Sequence, residues 1–170
     1  ANMLFVIGNR LTRKNLMDLR IWNIYLSGEI HTDWRESITS GLADAELPVQ
    51  LHSPVCVHVD SDDCGSVILG AETAPFWHDH KGASMNAIRT RTLIGVSDIV
   101  VVRFGEKYRQ WNAAFDAGMA TALGKALITV HEPNLNHALK EVDAVALATV
   151  ENTQQVVDVF RYVIDGKYRS

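Results

Sequence analysis

Cysteine is scarce in this chain. Only Cys56 and Cys64 occur in 170 residues, too few for a disulfide framework and compatible with a reducing cytosol. A basic excess is also missing, since 16 Lys and Arg face 20 Asp and Glu for a net charge of −4. That balance argues against a nucleic-acid polymer or an anionic membrane as partner, and leaves room for one small phosphate site. No apolar run approaches the roughly 20 residues that span a bilayer, and Met3–Ile7 is too short for a secretory segment. Walker, GxGxxG and GxSxG motifs are absent, which removes support for triphosphate hydrolysis and for an α/β-hydrolase. There is no internal repeat and no low-complexity linker. The expectation is a cytoplasmic protein whose residues 21–170 form a single domain with a sizeable core. Residues 1–20 carry Arg10, Arg13, Lys14 and Arg20 against Asp18 alone. They read as an appended extension or leader, and a transit segment for organelle import would have the same balance.

Charge is scarcest between Arg109 and Lys125, where Asp116 stands alone among small and apolar residues. A helix apolar nearly all round is normally buried, and a carboxylate carried into such a place needs a partner, a raised pKa or a chemical role. Asp116 is therefore the first functional candidate.

Several short apolar runs read as strands. Trp22–Gly28 is the first, and Thr32 or Asp33 can cap a helix running to about Ala45. Pro48–Pro54 is the second strand. A polar loop over Asp60–Gly65 and a weak helical turn to about Gly70 follow. Residues 78–95 look helical, with Met85, Ile88 and Thr92 along one side and Ile94 beside them. Asp98–Phe104 is the clearest buried strand, and the Asp116 helix then ends at Gly124 as a C-cap. Ala126–Val130 is a strand, 134–140 a short helix, Ala146–Val150 a weak strand, and 152–164 a helix with Val156, Val157, Phe160 and Ile164 inward. Strands without polar alternation, separated by helices, imply an α/β fold with a parallel sheet covered on both faces. Five strands suggest a flavodoxin-like, Rossmann-like order 2-1-3-4-5. Ligands in such sheets bind beyond the carboxyl ends, at the switch point between strands 1 and 3. That point brings Ser27–His31 together with Phe104–Glu106 and the loop to Asp116.

Each candidate has a bland reading beside the functional one. Asp116 could sit in the first helical turn, favoured by the macrodipole and free N–H groups. Alternatively it is a nucleophile or general base, oriented by Asn112 four residues earlier, with Gly118 admitting a backbone or ligand. Glu29 follows the strand-closing Gly28 and is either a solvated charge or a pocket carboxylate. Tyr25 is either core or a hydroxyl reaching that pocket. Asn86, Arg89 and Thr90 share a helical face, where Arg89 could hold a phosphate or carboxylate or only a structural ion pair. Trp111, near Tyr108 and Arg109, could stack on a planar base or act as a hydrophobic staple. His52, His58, Asp60, Asp62, Asp63, Cys64, His78, Asp79 and His80 lack firm metal-ligand spacing, so no metal is expected. The Ser61–Asp63 run reads as a polar loop near the pocket or a simple turn.

Six segments in order resemble the YtoQ family. They are Ile24–Glu36, Ser61–Asp63, Asp79–Lys81, Asn86–Thr90, and Phe104–Tyr108 followed by Gln110–Gly118. The resemblance covers about residues 22–165. That family looks like a branch of the nucleoside 2-deoxyribosyltransferase-like superfamily. The superfamily implies a flavodoxin-like domain, commonly a homo-oligomer, and cleavage of an N-glycosidic bond by a carboxylate that attacks the anomeric carbon, with no cofactor. The nucleophile motif matches Asp116–Ala120, and the supporting strand-1 tyrosine matches Tyr25. Three positions depart from the pattern. Asp116 is one methylene shorter than the family Glu, Gln110 stands where the transferases have an Asp, and Arg89 and Thr90 stand near the place of another carboxylate.

The implied function is hydrolysis or transfer at the N-glycosidic bond of a nucleoside or nucleotide-like small molecule. Asp116, Tyr25 and Glu29 would be catalytic. Gly28, Asp63, Asn86, Arg89, Gly105, Glu106, Trp111 and Asn112 would bind substrate. In that scheme Glu29 serves as acid or base, and Arg89 hints at an anionic ligand. The alternative is a non-catalytic module binding a nucleotide-related ligand in the same pocket. A weaker third reading is a structural oligomer that pairs through the Asp116 helix.

Overall fold

The structure is a computed structural model that describes residues 20–107 and 110–168. The expected N-terminal extension (all but Arg20), Tyr108 and Arg109 lie outside those residues. In chain order the elements are β1 (Trp22–Gly28), α1 (Trp34–Asp44), β2 (Val49–His52), α2 (His58–Asp62), α3 (Cys64–Leu69), α4 (Pro75–Val96), β3 (Ile99–Arg103), α5 (Trp111–Ala122), β4 (Ala126–Val130), a 3₁₀ turn (Pro133–Leu135), α6 (Asn136–Asp143), β5 (Ala148–Val150) and α7 (Thr153–Asp165). The five strands form one parallel sheet in the order β2-β1-β3-β4-β5, the flavodoxin-like order expected from the sequence. Strand order reverses between β1 and β3, whose register pairs Ser27 with Val102 and Gly28 with Arg103.

The two-residue period of the strands divides the core. Ile24, Leu26, Ile99, Val101, Ile128 and Val130 face α1 and α7, packing on Trp34, Ile38, Leu42, Val156, Val157 and Phe160. Tyr25, Val100, Val102 and Leu127 face the other way, onto Ile94, Ala113, Ala117 and Ala120. Full burial of each large apolar side chain contributes roughly 1.5–3 kcal/mol. The same alternation sends Ser27 to the side of the sheet that carries Tyr25 and α5.

Four local expectations need correction. Residues 60–65 are not a loop. Two short helices, α2 and α3, occupy 58–69 and are held against α4 by glycines. A Cβ on Gly65 would lie 2.2 Å from the Lys81 carbonyl carbon, and one on Gly82 would lie 2.6 Å from the Asp62 carbonyl oxygen. α4 begins at Pro75, at its first turn where the missing N–H costs nothing. Ile88 and Thr92 point to solvent, whereas Gly82 and Ile94 are buried. Finally, α5 is not buried all round. It lays Ala113, Ala117 and Ala120 on the sheet and leaves Trp111 71% and Phe115 67% exposed, because only one face of the sheet is available to it.

Candidate functional site

The carboxyl ends of β1 and β3, together with α4 and α5, enclose a cleft of about 680 Å³. Ser27, Gly28, Glu29 and His31 line it from the β1 end, Asn86 and Thr90 from α4, and Asn112, Phe115 and Asp116 from α5.

α5 opens at Trp111 behind Gln110, which has left-handed backbone (φ 47°). Asp116 is thus the sixth helical residue, beyond the first turn, and the reading that placed it among the free N–H groups of the helix start is corrected. Its partner is the Ser27 hydroxyl, which donates to Oδ2 at 2.5 Å. Burial pushes the Asp116 carboxyl above the usual aspartate range, while the Ser27 hydrogen bond pulls it back only in part. The expected pairing with Asn112 is not formed. Asn112 is exposed and faces the cleft.

Glu29 is 5% exposed. Burial raises its carboxyl, but this is outweighed by the Thr32 hydroxyl at 2.5 Å, the His31 backbone N–H and the Arg103 guanidinium 4.0 Å away. The net shift is below the usual glutamate range, so Glu29 is held as an anion. Tyr25 lies beneath the cleft floor, fully buried, and its hydroxyl pairs with Thr90 Oγ1 at 3.3 Å rather than with a carboxylate. Burial pushes that phenol up to about 12, lowered somewhat by Thr90 and raised by the Asp116 charge.

The β1–α1 loop is tied from behind. Buried Arg35 donates to the carbonyls of Leu26 (3.1 Å), Gly28 (3.1 Å) and Glu29 (2.6 Å). Trp34 Nε1 donates to Glu29 O at 2.7 Å. Across the cleft, Gln110 braces the β3–α5 loop, accepting from Gly105 N at 3.0 Å and donating to Lys107 O at 2.9 Å. A Cβ on Gly105 would lie 2.6 Å from Glu29 Cγ, so glycine is what lets the two loops close on each other.

Of the substrate-binding candidates, Gly28, Asn86 and Asn112 line the cleft together with Glu29 and Asp116. Gly105 backs Glu29. Asp63 does not line it, because its carboxylate pairs with His78 Nε2 at 3.1 Å; Ser61 and Asp62 reach the cleft instead. Arg89 is exposed and donates to Ser53 O at 3.3 Å. Glu106 and Trp111 are exposed outside the lining, whereas Phe115 lines the cleft. Sequence reasoning did not single out Ser27, and it read Thr32 only as a helix cap, whereas its hydroxyl donates to Glu29. Strand alternation with Tyr25 was the available signal for Ser27.

Ser27→Ala is expected to move the acid limb of any Asp116-dependent rate profile to higher pH and to lower the rate about 10-fold at neutral pH, the scale of one lost hydrogen bond to a charged group. An unmoved acid limb in a pH–rate titration would exclude Ser27 as the partner that sets the ionisation of Asp116.

Residues 25–164 match a family model described as nucleoside 2-deoxyribosyltransferase YtoQ. The chain is 39% identical over 142 residues to the uncharacterized protein YtoQ of Bacillus subtilis (strain 168), covering 84% of this chain and 96% of that protein. Among solved structures it is similar to a 2-deoxyribosyltransferase from Bacillus psychrosaccharolyticus, with a TM-score of 0.49 and 17% identity over 79% of this chain and 89% of that one. The last likeness is too distant to carry an argument about substrate.

Proposed function

The chain belongs to the nucleoside 2-deoxyribosyltransferase YtoQ family, and from that premise we propose that it cleaves or transfers the N-glycosidic bond of a nucleoside or nucleotide-like small molecule through Asp116. The observation that carries this reading is the setting of Asp116. A half-buried carboxylate, held by one hydroxyl, opens into the cleft at the switch point of the sheet.

An Asp116 oxygen attacks the anomeric carbon as the C–N bond breaks, with the electron pair passing to the departing base. The resulting glycosyl ester is then opened by water or by a second base, and the carboxylate is regenerated. Ser27 fixes which Asp116 oxygen faces the sugar. Glu29, held as an anion, opposes the positive charge that develops on the sugar ring. Tyr25 stays neutral and acts through packing and Thr90. Asn112 offers its amide to the base, Asn86, whose Nδ2 donates to Ser61 O and Oγ at 3.0 and 3.1 Å, offers its carbonyl oxygen, and Phe115 offers a ring face. Arg89, bonded to Ser53 O outside the lining, lends no support to an anionic substrate. That favours the nucleoside over its phosphate.

Incubating the protein with nucleosides and nucleotides, with and without an acceptor base, and separating products by chromatography tests the reading. Base release or exchange is expected from the wild type and not from Asp116→Ala. Equal release by that variant removes Asp116 from the mechanism. Ligand-induced thermal shifts without turnover would favour the non-catalytic binding module.

A further inference from the structure

Which bases the cleft admits depends on the polarity of the wall they meet. One wall is a face of α4, where Asp79, Ala83, Asn86 and Thr90 recur every three or four residues. Ser61 and Asp62 of α2 complete it.

Asn86 is fixed in one of its two amide orientations. Its Nδ2 donates to the Ser61 carbonyl oxygen at 3.0 Å and to Ser61 Oγ at 3.1 Å. A carbonyl oxygen only accepts, so turning the amide over would set two acceptors against each other. Oδ1 is therefore the atom that Asn86 keeps for the cleft, and it too only accepts. The anchor is held by packing. Gly82, one turn earlier on α4, sits so close to α2 that a Cβ on it would lie 2.6 Å from Asp62 O.

The neighbours of Asn86 have the same polarity. The carboxylates of Asp62 and Asp79 accept and do not donate. Asp62 pairs with His58 at 3.1 Å, and Asp79 lies 3.5 Å from a His78 ring nitrogen; a carboxylate has acceptor positions beyond one such contact. Arg89, on the same helix, donates to Ser53 O instead of the cleft. The Ser61 hydroxyl, which accepts from Asn86, can still donate one hydrogen bond.

We infer that Asn86 selects bases with an exocyclic amino group, as in cytosine and adenine, over their oxo counterparts uracil and hypoxanthine; this rests on the glycosyl-transfer reading of Asp116. The amino group donates to Asn86 Oδ1, and the ring nitrogen beside it can accept from the Ser61 hydroxyl. An oxo group in the same place points an acceptor at an acceptor. With the sugar held at Asp116, the base cannot slide its ring N–H into that place without losing the geometry of attack.

The test compares 2′-deoxycytidine with 2′-deoxyuridine and 2′-deoxyadenosine with 2′-deoxyinosine, with and without an acceptor base. The wild type is expected to favour the amino member of at least one pair by about 10²-fold in kcat/KM, the scale of leaving one polar group in the site unpaired. Asn86→Leu should cut that preference below about 5-fold, through a greater loss on the amino member than on the oxo member. A merely structural role would lower both equally. A second measurement needs no variant. The nucleoside with hydrogen in place of the amino group should lose at least about 10-fold in kcat/KM on the wild type. Parity or an oxo preference in both pairs, an unchanged preference in Asn86→Leu, or full activity on the hydrogen analogue overturns the role of Asn86 while leaving Asp116 in place. If the wild type cleaves none of the four nucleosides, or Asp116→Asn cleaves them at the wild-type rate, the glycosyl-transfer reading fails and the role of Asn86 with it.

Discussion

Asp116→Asn is expected to abolish base release and, in the same protein, to raise the melting temperature at neutral pH. Both effects follow from one arrangement. The carboxylate is half-buried, with a single hydroxyl donor among the described residues, and burial raises its pKa in the folded chain. A group whose folded pKa lies above its unfolded value contributes stability below the unfolded pKa, near 4 for aspartate, and loses it as pH rises through the folded pKa. At pH 7 the ionised Asp116 is therefore a net cost to the fold. Asparagine removes the charge, keeps an oxygen for the Ser27 hydroxyl and has nearly the same volume. A gain of about 1 kcal/mol would raise the melting temperature by about 2–4 °C in a domain of this length. The loss of a covalent nucleophile should reduce turnover by at least about 10³-fold. Melting curves of the two proteins should converge as pH falls below about 4, where wild-type Asp116 becomes protonated as well. A variant less stable than the wild type at pH 7 would make Asp116 a structural residue. A stable and fully active one would move the chemistry elsewhere.

That cost to the fold explains what could and could not be read from the chain. The buried strands were legible because they carry apolar runs that only a covered parallel sheet can bury. β4 falls on the expected Ala126–Val130, and β1 on Trp22–Gly28. α5 was recognisable by its lone charge, but its orientation was not. The alanines at 113, 117 and 120 carry too little apolar weight to mark the inward face against Trp111 and Phe115, both of which point outward. α3 falls on the weak helical turn expected before Gly70, whereas α2 was missed because Asp60–Asp63 has no apolar period. Their helices rest on backbone contacts with α4, 15 or more residues away, through Gly65 and Gly82. The Ser27–Asp116 hydrogen bond joins positions 89 residues apart. Topology could bring those segments together, but only coordinates could show that Ser27, and not Asn112, meets the carboxylate. Arg89 illustrates the opposite error. A helical face shared with Asn86 and Thr90 was correct to within a fraction of a turn, yet that was enough to send its guanidinium to Ser53 O instead of the cleft.

Gly28→Ala should be among the most damaging single substitutions in the chain, and Gly118→Ala among the most benign. Gly28 closes β1 with φ 103°, a region that costs an L side chain about 1–3 kcal/mol. Its missing Cβ would lie 2.0 Å from the Arg103 carbonyl oxygen and 2.9 Å from the Arg103 carbonyl carbon. These are backbone atoms of the paired strand β3, so the clash has no rotamer solution. That same carbonyl accepts the Glu29 N–H at 3.1 Å, so pushing the strands apart also breaks the bond that seats Glu29. A loss of about 3–5 kcal/mol is expected, at the severe end for one substitution, which corresponds to roughly 10 °C in melting temperature. Base release should fall even at temperatures where the variant remains folded, because residue 28 sits between Ser27 and Glu29 and a shift of the turn moves both. Gly118, two residues beyond Asp116 on α5, has nothing within 4 Å of its Cβ position and is exposed. The close approach of a backbone expected there is not present, and alanine should gain up to about 1 kcal/mol from helix propensity. Calorimetry of the two variants separates the glycine that the site requires from the glycine that only weakens its helix. A mildly destabilised Gly28→Ala protein that retains activity would show that the β1–β3 junction does not hold Ser27 and Glu29 in place.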